Sequence, residues 1–269
     1  MKLILDDEGR AALRDLMDST PLLAFDFDGT LAPIVPHPDE ARVPLPVARR
    51  LQYLAARLPV AIVTGRAIAD VESRLGFSPR HILGNHGIEN PLEATRGDWA
   101  RALDDFRVVL HRERHELGAV GLRIEDKGLS IALHYRLAPD RSRAVARVEA
   151  LLLDHGRTLK VVGGKCVFNI TAADAPDKGD ALLALALSTG AGSALFVGDD
   201  LNDEAVFAKA LPHWVTVRIG RNHPGSRARY YLDVPAQLPA LLDTLIDLSN
   251  MRERYPWPRP AALPGATSD

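Results

Sequence analysis

The 269-residue chain contains a single cysteine, Cys166, so it cannot form an intramolecular disulfide. One unpaired thiol fits a reducing compartment, and we expect a cytoplasmic location. No apolar run in the sequence is long enough to cross a bilayer. The N-terminal segment turns acidic at residues 6–8, before any signal-peptide core develops. The sequence therefore predicts a globular protein without a membrane partner.

The chain also lacks an excess of charge of either sign. It has 33 Lys and Arg residues against 35 Asp and Glu residues, for a formal net charge of -2. Such a balance gives no overall attraction to nucleic acid or to an anionic membrane, and we expect neither as a partner. Four arginines do lie close together in the sequence: Arg218, Arg221, Arg227 and Arg229. We expect them on a solvated surface, and a rim that steers anions toward a site is the alternative.

What the sequence does contain is a pair of aspartates at the end of an apolar run. Residues 21–27 predict a buried strand, which ends in Asp26-Phe27-Asp28-Gly29-Thr30. Two carboxylates two residues apart share a face of a strand. With a backbone carbonyl they would form the hard oxygen site that Mg²⁺ prefers, and one carboxylate could attack phosphorus. Taken alone, Asp-Gly after a strand is also ordinary turn chemistry.

Strand and helix patterns alternate over residues 21–87 and again over 178–248, which predicts a parallel sheet covered on both faces. The segment between them follows another order, helix-strand-strand-helix-strand-strand, with hairpins expected around Asp126-Lys127-Gly128 and Gly163-Gly164. This order indicates an inserted α+β lobe. We therefore expect a discontinuous core domain at 1–103 and 174–250 and a cap domain at 104–173. A Pro- and Ala-rich disordered tail is expected at 251–269.

Polar clusters follow four of the predicted strands, at residues 26–30, 64–66, 85–87 and 199–203. Ligands of open parallel sheets bind beyond the carboxyl ends of the strands, so these clusters should meet at one site. Single members have simpler explanations, since Thr64 could cap the next helix and Lys178 could be a solvated helix start. The set as a whole favours a site.

This set resembles the motifs of the haloacid dehalogenase superfamily of phosphotransferases. The resemblance implies a Rossmann-like parallel-sheet core with an inserted α+β cap of the C2B-like type, a Mg²⁺ site and an aspartyl-phosphate intermediate. Four motifs carry it: Asp26-Phe27-Asp28-Gly29-Thr30-Leu31, Thr64, Lys178, and Gly198-Asp199-Asp200-Leu201-Asn202-Asp203.

The resemblance also implies a role for each motif residue. Asp26 would be the nucleophile, and Asp28 would be acid to the leaving group and then base to water. Thr64 and Lys178 would hold the phosphoryl oxygens. The metal ligands would be Asp26, the carbonyl of Asp28, and Asp199. Three neighbours would orient Lys178 or metal-bound water: Asp200, Asn202 and Asp203.

Further stretches look closer still to the trehalose-6-phosphate phosphatases. They include Gly84-Asn85-His86-Gly87, Glu125-Asp126-Lys127-Gly128, His134-Tyr135-Arg136 and Gly164-Lys165. This likeness implies Mg²⁺-dependent hydrolysis of trehalose 6-phosphate, and a possible functional link to a trehalose-6-phosphate synthase. The substrate-binding residues expected from it are Arg66, Asn85, His86, Gly87, Glu125, Lys127, Lys165 and Asn169.

The sequence departs from this family at two positions. Asn169 stands where the family usually carries a glutamate, and Asn202 stands where it usually carries a threonine. Another sugar phosphate or glycosyl phosphate therefore stays open as the substrate. A non-catalytic phosphosugar-binding protein, and phosphoryl transfer to an acceptor other than water, are further alternatives.

Overall fold

The computed structural model describes residues 1–91, 98–153, 155, 157–221 and 223–254. Within these ranges the strands form a seven-stranded sheet and a four-stranded sheet. Every helix in this part of the chain is too short or too polar to span a membrane.

The N-terminal segment alternates strands and helices, as predicted. Its first helix begins after Asp6, whose side chain accepts a hydrogen bond from Gly9 N, and it buries Leu13 and Leu16. The elements are β1 (Lys2–Leu3), α1 (Asp7–Met17), β2 (Leu22–Phe25), α2 (Leu45–Ala55), β3 (Val60–Val63), α3 (Ile68–Leu75) and β4 (His81–Leu83).

The middle segment forms the smaller, antiparallel sheet and the helices that cover it. Its core is a separate hydrophobic cluster that includes Phe106, Ile131 and Val148. The elements are α4 (Asp104–Arg112), α5 (Arg114–Ala119), β5 (Arg123–Asp126), β6 (Ile131–His134), α6 (Arg141–Leu152), β7 (Leu159–Gly164) and β8 (Val167–Ala172). The strand order is β5-β6-β8-β7. We call this segment the cap.

The C-terminal segment returns to the large sheet. Its elements are α7 (Lys178–Thr189), β9 (Ala194–Gly198), α8 (Glu204–Lys209), β10 (Val215–Ile219), β11 (Tyr230–Leu232) and α9 (Leu238–Arg254). The order of the large sheet is β1-β11-β10-β9-β2-β3-β4.

The large sheet is parallel throughout, and β2 lies inside it between β9 and β3. All four residues of β2 are buried, because helices cover both faces of the sheet. Phe25 is in register with Ile62 on β3 and with Val197 on β9. The residues that follow these three strands therefore meet at one edge of the sheet.

Three expectations about this fold need correction. Helix α9 continues to Arg254, so the tail does not start at residue 251, while residues 255–269 lie outside the described ranges. Gly163 and Gly164 belong to β7, and the hairpin turns at Lys165-Cys166 instead, where Cys166 has a φ of 64°. Strands β1 and β11 were not predicted, because strands of two or three residues have no readable alternation. Helix α1 was not predicted either.

Candidate functional site

The loops after β2 and β9 pack directly against each other. Gly29, just after the first aspartates, has a φ of 88°, and a Cβ on it would collide with the Asp199 carboxylate. Only glycine tolerates both the left-handed backbone and this close approach. The Asp-Gly step therefore does more than turn the chain, because it brings Asp26 and Asp199 together.

Lys178 joins the carboxylates at the centre of the site. It is the first residue of α7, which is fixed by the Asp177 cap, and only 2% of its side chain is exposed. Its Nζ donates to Asp26 Oδ1 at 2.7 Å and to Asp203 Oδ1 at 2.8 Å. The alternative of a solvated helix start is therefore wrong.

Burial controls the charge balance of this cluster. Desolvation, together with the neighbouring Asp203 and Asp199, raises the pKa of Asp26 well above its usual range against the opposing effect of Lys178. Desolvation also raises the pKa of Asp199. Two carboxyl groups with raised pKa values beside a single buried ammonium favour the binding of a further cation.

Asp199 is held by Thr30 and by the cap. Thr30 Oγ1 donates to Asp199 Oδ1 at 3.0 Å, and Lys165 at the tip of the β7–β8 hairpin pairs with Asp199 Oδ2. The hairpin backbone is tied to the same loop, since Lys165 N donates to Asp200 Oδ2 at 3.2 Å. The cap thus reaches the candidate metal centre directly.

One carboxylate oxygen from each of Asp26, Asp199 and Asp203 lies within 4.8 Å of the other two, and these three oxygens could hold a metal ion. Carboxylate oxygens suit a hard divalent cation. Both oxygens of Asp203 are engaged inside the core, one by buried Lys178 and the other by the backbone amides of Asp199 and Asp200. Asp199 instead pairs with Lys165, an exposed cap side chain that an incoming cation can displace, and Lys178 contacts only Oδ1 of Asp26. Asp26 and Asp199 are therefore the stronger ligand candidates, with Asp203 in support.

Asp28 takes part through a different contact. Arg66 Nε and Nη2 each donate to one of its carboxylate oxygens at 2.8 Å. Arg66 also donates to Asp70 and to the carbonyl of Pro38. Burial lowers the pKa of Arg66, but the carboxylates of Asp28 and Asp70 outweigh this effect and raise it. The Asp28 side chain is therefore engaged by Arg66, while the predicted metal contact concerns its carbonyl.

Thr64 is fully buried at the end of β3, and its hydroxyl accepts from Arg66 N at 3.1 Å. It does not cap α3, because the residue at that position is Ala67. Its carbonyl accepts from His86 N at 2.9 Å. Thr64 thus links the Arg66 loop to the neighbouring loop after β4.

The loop after β4 holds three successive residues in the left-handed region, with φ of 47° at Asn85, 60° at His86 and 103° at Gly87. Such strain persists where the surroundings enforce it, and it is typical of functional sites. The His86 ring lies against Gly65 and is 8% exposed. Asn169 lies beside it, but neither ring nitrogen makes a well-formed hydrogen bond within the described ranges. Burial, then the charges of Lys127 and Lys178, lower its pKa well below the usual range.

The predicted cap residues line the same cavity as Asp26, Asp28 and Lys178: Glu125, Lys127, Lys165 and Asn169. Lys127 Nζ donates to the carbonyl of Gly65 at 2.9 Å, and burial lowers its pKa. In the cap sheet Ala132 is in register with Glu125 on one side and with Asn169 on the other. One row of the cap sheet therefore presents two polar side chains to the cavity.

Sequence reasoning missed Arg218, which was expected on a solvated surface. It is 6% exposed, and its guanidinium donates to the carbonyls of Asp199 at 2.9 Å and Asp200 at 3.3 Å. It also pairs with Glu204 at 2.6 Å. Its position at the end of an apolar strand was the available signal. His134 and Arg136 were also missed as cavity-lining residues.

The fold is that of the haloacid dehalogenase-like hydrolases. Such a hydrolase from B. subtilis matches with a TM-score of 0.59 and 18% identity, covering 82% of this chain and 98% of that chain. The C-terminal domain of the C. albicans trehalose-6-phosphate phosphatase matches with a TM-score of 0.73 and 23% identity. That match covers 89% of this chain and 96% of that chain.

The sequence narrows this class to one family. The model of the trehalose-phosphatase family matches residues 24–236, and the chain belongs to that family. The trehalose-phosphate phosphatase of Mycobacterium tuberculosis is 34% identical over 246 residues. This match covers 86% of the chain and 62% of the relative, so the chain spans less than two thirds of that protein.

Proposed function

We propose that this protein hydrolyses trehalose 6-phosphate to trehalose and phosphate through an aspartyl-phosphate on Asp26. The observation that carries the proposal is a single cavity in which the core residues Asp26, Asp28 and Lys178 face polar residues of the cap. Membership of the trehalose-phosphatase family supports the choice of substrate.

We infer that Mg²⁺ is the metal and that Asp26, Asp199 and the Asp28 carbonyl hold it. The buried carboxylate oxygens fit a hard cation, and the raised pKa values of Asp26 and Asp199 describe acids that need a positive partner to stay ionised. When bound, the ion neutralises charge on the phosphoryl oxygens.

In the first half-reaction an oxygen of Asp26 attacks phosphorus, and the bond between phosphorus and the sugar oxygen breaks. Lys178 contacts Asp26 through Oδ1, and its ammonium also binds the phosphoryl oxygens. The hydroxyl of Thr64 donates a hydrogen bond to the same phosphoryl oxygens. Asp28 enters this step protonated, with one of its two Arg66 contacts released, and gives that proton to the departing sugar oxygen. The products are free trehalose and phosphorylated Asp26.

In the second half-reaction water attacks the phosphorus of the aspartyl-phosphate. Asp28, now ionised, takes the proton of that water, and the bond between phosphorus and Asp26 breaks. Inorganic phosphate leaves and both carboxyl groups return to their starting states. The cap contacts of Lys127 and Lys165 favour a closed cavity from which bulk water is excluded.

Phosphate release from a panel of sugar phosphates, with and without Mg²⁺, tests the proposal. We expect the highest kcat/KM for trehalose 6-phosphate and loss of turnover after chelation. A kcat/KM for trehalose 6-phosphate no better than that for glucose 6-phosphate would refute the substrate. Full activity after exhaustive chelation would refute the metal.

A second candidate keeps the chemistry and changes the sugar. Asn169 is 6% exposed and lies beside His86, so the cavity has an amide where the family usually has a carboxylate. An amide both donates and accepts hydrogen bonds, whereas a carboxylate only accepts them. The cavity beside Asn169 would therefore suit a sugar with a different arrangement of hydroxyl groups. The same panel, extended to other disaccharide and glycosyl phosphates, distinguishes the two.

A further inference from the structure

His134 lines the cavity but has no part in the mechanism above. It is the last residue of β6, and its Nε2 lies 2.8 Å from Oε2 of Glu125, the carboxylate of the cap. Because an ionised carboxylate only accepts hydrogen bonds, this contact assigns the proton to Nε2. The imidazole is therefore a donor aimed at Glu125.

Of this pair, His134 lies on the more rigid strand of the cap sheet and Glu125 on the less rigid one. Strand β6 lies inside the sheet and is paired on both sides, whereas β5, which carries Glu125, is an edge strand. Arg123 is in register with His134, so Glu125 and His134 are diagonal neighbours on one face. A side chain from an inner strand thus holds a carboxylate on the edge strand.

The contact leaves the carboxylate ready for a ligand. The hydrogen bond from His134, followed by the charge of Lys127 at 4.0 Å, lowers the pKa of Glu125. Both contacts are made to Oε2, and within the described ranges Oε1 has no donor. The Glu125 side chain is 44% exposed in the structure.

We propose that His134 is a positioning residue that holds Glu125 in the orientation that accepts a sugar hydroxyl at Oε1. The proposal rests on the proposed function, since it takes the cap as the sugar-binding element. A pre-ordered carboxylate loses less freedom when the ligand binds, so His134 strengthens sugar binding. It acts through Glu125 and does not touch phosphorus, so it leaves the chemical step unchanged.

Steady-state kinetics on two substrates test this role. For trehalose 6-phosphate, His134→Ala should raise KM about tenfold with kcat within about twofold, as for the loss of one hydrogen bond to a charged group. For p-nitrophenyl phosphate, which has no sugar, both parameters should stay unchanged. His134→Gln, which retains a donor, should recover part of the loss. His111→Ala, at an exposed position of α4, is the matched control.

A double-mutant cycle with Glu125→Gln separates positioning from a direct contact. If His134 acts only through Glu125, the double variant is no worse than Glu125→Gln alone. Effects that add in full, or an equal loss with p-nitrophenyl phosphate, would overturn the proposal.

The ¹⁵N chemical shifts of the His134 ring give a readout that does not depend on turnover. We expect the neutral ring to be the Nε2–H tautomer, and this preference to weaken in Glu125→Gln. An Nδ1–H tautomer would overturn the proposal for any substrate. If no sugar phosphate were turned over faster than p-nitrophenyl phosphate, the proposed function would fail. An Nε2–H tautomer that weakens in Glu125→Gln would even then support the hydrogen bond between His134 and Glu125.

Discussion

Arg66 and Asp28 are joined by two parallel hydrogen bonds, both of 2.8 Å, between a guanidinium after β3 and a carboxylate after β2. This bidentate geometry fixes the direction of the carboxylate as well as its charge. The side chain proposed to move the proton is therefore positioned by a neighbouring loop of the sheet. Arg66, expected as a substrate ligand, makes its observed contacts with the protein.

Replacing Arg66 by Lys should slow turnover of a sugar phosphate more than turnover of p-nitrophenyl phosphate. A sugar alkoxide needs a proton to leave, whereas p-nitrophenolate does not, so disordering Asp28 harms the first reaction selectively. We expect kcat to fall about 30-fold for the sugar phosphate, which is less than the roughly 100- to 10,000-fold that general acid catalysis contributes, because Asp28 itself is retained. Parallel kcat measurements check this, with Arg101→Lys as an exposed control. Equal losses on both substrates would argue against the role of Asp28.

Replacing Lys178 by Met should destabilise the fold as well as abolish activity. The change leaves Asp26 and Asp203 buried without their shared ammonium, and breaking a buried pair in this way costs about 3 kcal/mol. Urea unfolding measures the loss. Lys209→Met removes an exposed pair with Asp177 and should cost less than about 1 kcal/mol. Similar midpoints for the two variants would contradict this account of the cluster.

Divalent metal should stabilise the folded protein through Asp199. Metal that binds only the native state raises stability, by about 2.7 kcal/mol when its concentration is 100 times Kd. We therefore expect Mg²⁺ to raise Tm of the chelator-treated protein, and Asp199→Asn to remove most of this rise. Asp174→Asn, at an exposed position, is the control. A full shift in Asp199→Asn would exclude this residue as a ligand.

The cap should lose stability in acid through Asp126. Hydrogen bonds from Arg107, at 2.8 and 3.2 Å, lower the pKa of this carboxyl below its usual value. The pKa of Asp126 is lower in the folded state than in the unfolded state, where it is about 4, so the ionised carboxylate stabilises the folded state above about pH 4. This stabilisation is lost as the pH falls through the pKa of the folded state. Asp126→Asn should therefore cost about 0.5 kcal/mol at pH 7, since the pair is partly exposed, and nothing at pH 2.

Urea titrations at several pH values check the Asp126 prediction. Asp15→Asn on the outer face of α1 is the matched control, and its effect should be small at every pH. A difference between wild type and Asp126→Asn that grew toward low pH would have the wrong sign for this ion pair.

Sequence predicted the parts of the site that follow strands. Buried apolar runs ending in Asp26, Thr64 and Asp199 locate the carboxyl edge of a parallel sheet without any coordinates. The long-range contacts that hold these loops in place could not be predicted in this way. Arg218 bonds carbonyls 18 and 19 residues earlier in the chain. No local pattern encodes such a pairing.

The hairpin tip shows the same limit. Two adjacent glycines predict a turn, yet Gly164 lies in β7 beside Val167 and the Asp200 carboxylate, so its lack of a side chain serves a tertiary contact. The turn then falls on Lys165-Cys166 and carries Lys165 to Asp199. Local turn chemistry was overridden by packing between the cap and the core.

The central claim is that Asp26 is the nucleophile, and Asp26→Asn tests it most directly. The amide keeps the size of the side chain and can still accept from Lys178, so we expect Tm to stay within about 4 °C of wild type. Phosphate release from trehalose 6-phosphate should fall by at least about 1,000-fold, because an amide cannot form the aspartyl-phosphate. A folded variant that kept more than about a tenth of the wild-type kcat would contradict the account.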